Sequence, residues 1–118
     1  MVSDVTPEEV EQAKKNAGIV LVDCWAPWCG PCKALGPILE ELEEKYSDNS
    51  AVKFFKVNTD EHRQFALENN LTAIPCVLVY KDGELATYED PHRGGKTDRL
   101  IGLRPAEQYQ QVIDALLE

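Results

Sequence analysis

Hydrophobic positions along this chain fall into two patterns. The run Ile19–Trp25 is almost continuously apolar and rich in β-branched residues, which is typical of a strand buried on both faces of a sheet. From Cys32 to Tyr46 apolar residues recur at helical spacing, with glutamates on the other side. This second pattern predicts a long amphipathic helix, which Pro37 should kink.

The other predicted elements continue the alternation. Thr6 suits a helix N-cap, Pro7 the first helical position and Glu9 the capping-box carboxylate, so a helix should run to about Asn16 and stop at Gly18. We further expect strands at Val52–Val57, Val77–Tyr80 and Glu84–Tyr88, the last two joined by an Asp82-Gly83 hairpin turn, and helices at Glu61–Asn69 and Pro105–Leu117. This order indicates an α/β fold with a mixed sheet flanked by helices.

Length and charge narrow the class of protein. The 118 residues predict one domain, residues 1–118, and the net charge of −9 argues against nucleic acid and anionic membranes as partners. No apolar run approaches the roughly 20 residues of a membrane-spanning helix, and the first residues lack the features of a secretory signal. We therefore expect a cytoplasmic protein, in which four cysteines are more often catalytic, metal-binding or buried than a disulfide framework.

The segment Trp28-Cys29-Gly30-Pro31-Cys32 lies between the buried strand and the long helix. A helix N-terminus favours an anion, so Cys29 should form a thiolate readily and act as the exposed nucleophile. Cys32, expected to be more buried, would attack a mixed disulfide formed on Cys29. Half of a zinc site is the alternative, but the sequence has no second C-x-x-C or histidine pair to complete it.

Asp23 is the one acid in the buried strand. A lone carboxylate in an apolar strand is costly, so such a group usually has a perturbed pKa, a partner or a chemical role.

Several further segments accompany these residues: Val22 to Lys33, Pro37, Lys56 to Asp60, Ile74-Pro75 and Gly102. With them, most of the chain resembles the thioredoxin family. The resemblance implies a thioredoxin fold, with a central mixed sheet, about four helices and a cis peptide bond before Pro75 that faces the dithiol. It also implies a flat, mostly uncharged docking surface around Cys29, formed by Trp28, Gly30, Pro31, Ala73, Ile74, Pro75 and Gly102.

The same resemblance implies a thiol–disulfide oxidoreductase, a protein-disulfide reductase that acts on target proteins through a Cys29/Cys32 cycle. A thioredoxin reductase would restore the dithiol, and we expect a monomer with no bound cofactor or metal. Asp23 is implied to accept the Cys32 proton through a water, and Lys56 to limit the pKa shift of Asp23. The alternatives are a buried Asp23 satisfied by hydrogen bonds, and a Lys56 that simply extends to solvent.

Two other functions stay open. One is a thioredoxin-like binding module whose redox pair is incidental, and the other is a protein disulfide oxidase or isomerase. The Gly30-Pro31 pair is similar to that of the reducing members of the family, and the lack of a secretory signal also weighs against the oxidising function.

Cys24 and Cys76 depart from the family pattern. We expect both to be small buried side chains. The resemblance implies that their strands are antiparallel neighbours in the sheet, so the two cysteines should be close together but reduced. Two alternatives place Cys76 at the dithiol, either as a third reactive thiol or as part of a ligand set for a metal or iron–sulfur cluster with Cys29 and Cys32.

Residues 88–98 form a connection longer than is usual in the family, polar and rich in glycine. It is either a mobile hairpin tip without function or a contact that selects a reductase or target protein. His92, Arg93 and Lys96 make it locally basic, which suits an acidic partner.

Overall fold

A computed structural model describes all 118 residues, which form eight strands and four helices. The helices are α1 (Pro7–Asn16), α2 (Gly30–Lys45), α3 (Arg63–Glu68) and α4 (Ala106–Leu117). The strands are β1 (Ser3–Asp4), β2 (Ile19–Trp25), β3 (Val52–Asn58), β4 (Cys76–Lys81), β5 (Glu84–Leu85), β6 (Tyr88–Glu89), β7 (Lys96–Thr97) and β8 (Arg99–Ile101). None of the helices is long and apolar enough to cross a membrane.

Six strands form the central sheet, in the order β1-β3-β2-β4-β5, with β8 also paired to β4. The β1–β3 and β2–β3 pairs are parallel, whereas β4 is antiparallel to β2, β5 and β8. The predicted mixed sheet flanked by helices is confirmed. Strand β2 lies in its interior, which explains why its sequence is apolar on both faces.

The two faces of the sheet pack against different helices. Ile19 and Leu21 belong to a core cluster that includes Leu35 and Leu39 of α2 and Tyr109 of α4. Val20, Val22 and Cys24 belong to a second cluster, which includes Val10 of α1 and Phe65 of α3. Because side chains alternate along a strand, Asp23 falls on the face covered by α2 and Cys24 on the opposite face.

Helix boundaries follow the local signals closely at α1. The Thr6 hydroxyl accepts the Glu9 N–H at 3.2 Å and the Glu9 carboxylate accepts the Thr6 N–H at 3.0 Å, so the predicted capping box is confirmed. Helix α2 begins at Gly30 instead of Cys32 and continues past Pro37. Helix α3 is shorter than predicted at both ends, and its N-cap residue, His62, makes no side-chain capping hydrogen bond.

The prediction of one continuous strand over Glu84–Tyr88 is wrong. Glu84–Leu85 pairs with β4, but the chain then leaves the sheet, and Tyr88–Glu89 pairs with Lys96–Thr97 in a separate two-stranded hairpin. The chain rejoins β4 at Arg99–Ile101. The edge beside β4 is therefore made of two short strands, with the hairpin inserted between them.

Candidate active site

Cys29 and Cys32 are joined by a disulfide at the N-terminus of α2, with Cα atoms 5.3 Å apart. Cys29 is the N-cap residue of this helix, and its Sγ accepts a hydrogen bond from the Cys32 N–H at 3.2 Å. Pro31 lies in the first turn, where a missing N–H removes no helical hydrogen bond. The Cys29 sulfur thus occupies the place where a helix stabilises an anion.

The expected difference in exposure between the two cysteines is not observed. Cys29 and Cys32 are each 5% exposed, so the prediction of an exposed Cys29 is wrong for this disulfide form. Their chemical difference comes instead from position, because Cys29 caps the helix and Cys32 lies one turn inside it.

Asp23 is 3% exposed, and its Oδ1 has no hydrogen-bond partner among the protein groups. Burial raises the pKa of Asp23 to about 7, against a smaller lowering by the Lys56 ammonium and a further raising by Asp4. A buried acid fully satisfied by hydrogen bonds is therefore not what the structure shows. The group is poised to gain or lose a proton near neutral pH.

Lys56 lies on β3 directly opposite Asp23 in the parallel register. Its Nζ is 5.0 Å from the ring centroid of Trp25, a cation–π distance, and the residue is half-buried. The lysine therefore does not simply extend to solvent. Its charge acts on Asp23 through space and lowers the pKa of that acid.

The residues predicted to form the docking surface lie on three segments. Trp28 is 70% exposed, and its indole N–H donates to both carboxylate oxygens of Asp60 at 3.0 and 3.2 Å. Gly30, Pro31 and Ala73 are exposed, Ile74 and Gly102 are half-buried, and Pro75 is buried. Asp60 was not expected to orient the tryptophan, because a contact between residues 32 apart leaves no local signal.

Backbone contacts join the Pro75 and Gly102 segments. The Ile74-Pro75 peptide bond is cis, as expected, and the Gly102 N–H donates to the Pro75 carbonyl at 2.8 Å. Gly102 has a φ of +87°, a conformation that favours glycine. Ile74 makes no backbone hydrogen bond, so its peptide groups are free for another chain. Leu103, 48% exposed beside Gly102, adds apolar surface that no pattern in the sequence indicated.

Cys24 and Cys76 are direct cross-strand partners on β2 and β4, both buried and unbonded, which confirms the expected arrangement. Burial raises the pKa of Cys76 to about 11, and it raises that of Cys24 as well. Both side chains belong to the cluster on the α1 and α3 face, so Cys76 is not a third thiol beside Cys29. The structure contains no group of three or more metal-ligating side chains, which contradicts a cluster formed with Cys76.

Together these features suit a two-electron thiol–disulfide exchange. When this disulfide is reduced, the helix N-terminus favours a thiolate on Cys29, and Cys32 supplies a second thiol in the first turn of the helix. A buried acid, Asp23, lies on the sheet face that this helix covers. The exposed surface around it offers unpaired backbone and apolar contacts instead of an enclosed pocket for a small molecule.

Comparisons with known proteins agree with this geometry. The family model described as Thioredoxin matches residues 2–113. Thioredoxin of Bacillus subtilis is 36% identical over 102 residues, which cover 86% of either chain. Thioredoxin of Pyropia yezoensis is 42% identical over 105 residues, covering 88% of this chain and 86% of the relative. The solution structure of oxidised thioredoxin from Plasmodium falciparum has a TM-score of 0.74 at 29% identity, covering 98% of this chain and 97% of that one.

Proposed function

Because the chain belongs to the thioredoxin family and is a thiol–disulfide oxidoreductase of the protein-disulfide reductase type, we propose a division of labour among its residues. Cys29 is the attacking sulfur. The observation that carries this assignment is its place as the N-cap of α2, with the Cys32 N–H donating to its Sγ. An anion there is stabilised by the helix N-terminus and by this hydrogen bond, whereas no backbone N–H donates to the Cys32 sulfur.

In the reaction the Cys29 thiolate attacks one sulfur of a target disulfide. The target bond breaks, and its second sulfur leaves as a thiolate and takes up a proton. Cys32 then loses its proton and attacks the Cys29 sulfur, which forms the intramolecular disulfide and releases the other target sulfur. Two electrons pass from the dithiol to the target. A thioredoxin reductase returns two electrons to the Cys29–Cys32 disulfide.

Asp23 accepts the Cys32 proton in this proposal, through a water. Three observations support the role: the acid is buried, one of its oxygens has no protein partner, and its pKa is about 7. Lys56 is a positioning residue, since its charge keeps the pKa of Asp23 from rising further. Asp23 thus changes protonation near neutral pH.

Targets dock as extended segments beside the dithiol. The unpaired backbone of Ile74 offers hydrogen bonds to a peptide, as an open strand edge does, and Trp28 with Leu103 offers apolar contacts on either side. Gly30, Pro31, Ala73, Pro75 and Gly102 complete this surface. Its few side-chain hydrogen bonds suit many different protein targets, and we propose that the protein acts as a monomer in the cytoplasm.

Reduction of insulin disulfides with dithiothreitol as the electron source tests the reductase function. Wild type should accelerate precipitation of the insulin B chain, and Cys29→Ser should abolish the acceleration. Cys32→Ser should accumulate a covalent Cys29–target adduct, detected by mass spectrometry. An adduct on Cys32 in the Cys29→Ser variant, with none on Cys29 in Cys32→Ser, would reverse the assigned roles. Undiminished target binding and activity in the Cys29→Ser/Cys32→Ser variant would favour the binding module.

A further inference from the structure

None of the residues in the proposed redox cycle lies in the hairpin inserted beside β4. We call residues 88–97, which comprise β6, β7 and their connection, the arm. Its position follows from the direction of the strands. Strand β4 runs away from Pro75, β5 turns back, and the arm continues to Asp90, which contacts Arg104 two residues after Gly102. The tip of the arm therefore lies at the same end of the sheet as the docking surface.

A buried ion pair fixes the arm in this position. The Asp90 carboxylate accepts hydrogen bonds from Nη1 and Nη2 of Arg104 at 2.6 and 3.1 Å, and the two residues are 7% and 5% exposed. Arg104 Nε also donates to the Ile101 carbonyl at 3.2 Å. Because the Gly102 N–H is bonded to Pro75, a continuous set of contacts links the arm to the peptide-binding segment.

The same carboxylate orders the tip. Asp90 Oδ1 accepts the N–H groups of His92 and Arg93 at 2.9 and 3.2 Å, and the Asp90 N–H donates to Gly95 O at 2.8 Å. Arg104 satisfies the charge of Asp90 within the protein. The tip is thus ordered before any partner binds, so binding does not carry the entropic cost of ordering it.

The exposed charge of the tip is opposite to that of the protein as a whole. Residues 91–97 contain Arg93, Lys96 and His92, all exposed, and no acid, whereas the chain carries a net charge of −9. Glu89 lies across from Lys96 at the base of the arm, and its carboxylate accepts the Gly95 N–H. Arg93 is therefore the cation that has no facing acid.

We infer that the arm is a second contact site for protein targets, which binds acidic residues flanking the disulfide that Cys29 attacks. The inference rests on the proposed reductase function and names a class of target for it. Charges at the rim of an interface act mainly on association rate and on the choice between partners. The arm should therefore select among targets without changing the chemistry at the dithiol.

Two peptide disulfides test the inference, identical except for glutamate or lysine residues beside the cystine. The measured quantity is the second-order rate constant for reduction by the reduced protein in a single turnover. The test variant is Arg93→Glu/Lys96→Glu. The control is Lys15→Glu/Lys45→Glu, which makes the same charge change at two exposed lysines in the last turns of α1 and α2, at the other end of the molecule.

The test variant should lower the ratio of the glutamate-peptide rate to the lysine-peptide rate about fivefold at low salt, as expected for loss and reversal of rim charges. The control should change the ratio much less, and the difference should disappear in about 0.5 M salt. Equal changes in both variants, or none in either, would overturn the inference. So would a defect confined to recycling by a reductase, since the arm would then serve that partner. If wild type reduces neither peptide, the reductase function itself fails.

Discussion

Asp23 and Lys56 stand directly opposite each other on adjacent parallel strands, and burial of the acid outweighs the charge of the lysine. The lysine ammonium lies over the Trp25 ring instead of forming an ion pair with the carboxylate. Asp23 therefore has a pKa of about 7 in the folded protein, far above its ordinary value of 3.8. An acid of this kind weakens the fold once the pH exceeds its ordinary pKa in the unfolded chain.

Asp23→Asn should stabilise the oxidised protein at alkaline pH. From about pH 4 to 7 the unfolded state loses the Asp23 proton while the folded state keeps it, so wild-type stability falls as pH rises through this window. The substitution removes that loss, and the gain should reach at most about 4 kcal/mol above pH 7 and be small near pH 4. Urea unfolding of both proteins at pH 4 and pH 8.5 measures this gain in the free energy of unfolding. An equal gain at both pH values would contradict the raised pKa of Asp23.

The same substitution should slow turnover, since Cys32 loses its proton acceptor. Release of the target from the mixed disulfide should slow by about 100-fold near pH 7, the lower end of the range for loss of general acid–base catalysis. The first attack by Cys29 should change much less. Rapid-quench kinetics with mass spectrometry separates the two steps, and an effect confined to the first step would remove Asp23 from its proposed role.

Lys56→Met should raise the pKa of Asp23 further, because the lysine charge lowers it in wild type. The inflection in the pH dependence of mixed-disulfide resolution should move to higher pH, and a carboxyl-carbon NMR titration of Asp23 should move with it. Lys53→Met is the matched control, since Lys53 is an exposed lysine on the same strand. Identical titrations for Lys56→Met and wild type would leave Lys56 without this role.

Cys24 and Cys76 should be inert in the folded protein. Both are buried, and burial raises the pKa of Cys76 to about 11 and that of Cys24 as well, so neither forms the reactive thiolate. After reduction, brief treatment with iodoacetamide at pH 7.5 should alkylate Cys29 and spare these two thiols until denaturant is added. Alkylation of Cys76 in the native protein would restore its role as a third reactive thiol.

Asp90→Asn should destabilise the protein by roughly 2 kcal/mol, the scale of a hydrogen bond to a charged group, because Arg104 stays buried opposite a neutral side chain. The Arg104 guanidinium holds the pKa of Asp90 well below its usual range. Stability from this pair is thus present above about pH 4 and is lost as pH falls toward the folded pKa. Urea unfolding at pH 7 should show a lower free energy of unfolding for the variant. If stability fell more steeply on acidification in the variant than in wild type, the ion pair would not have this role.

Much of the fold could be predicted from residues that lie close together in the sequence. The Thr6–Glu9 capping box, the apolar strand Ile19–Trp25 and the helix after the dithiol each depend on residues close in sequence. The reactive turn could be found for the same reason. The family resemblance supplied what local signals lack, above all the cis bond at Pro75.

The features that the sequence did not predict involve residues that come together only in the folded chain. Strand β1 has two residues and exists only through its pairing with β3, so no periodicity marks it. The inserted hairpin depends on a buried ion pair between residues 14 apart, which no local pattern encodes. The equal burial of the two active-site cysteines is a feature of the folded disulfide form that their spacing in the sequence does not indicate. Each of these features is a property of the folded chain.

Equilibration with glutathione redox buffers tests the reductase assignment most directly, with the oxidation state of each cysteine measured by mass spectrometry. We predict one strongly reducing couple confined to Cys29 and Cys32, with a potential near about −270 mV, as is general for thioredoxins. A couple near about −120 to −180 mV, typical of oxidases and isomerases, would contradict the reductase assignment. Oxidation of Cys24 or Cys76 in step with Cys29 would contradict it as well.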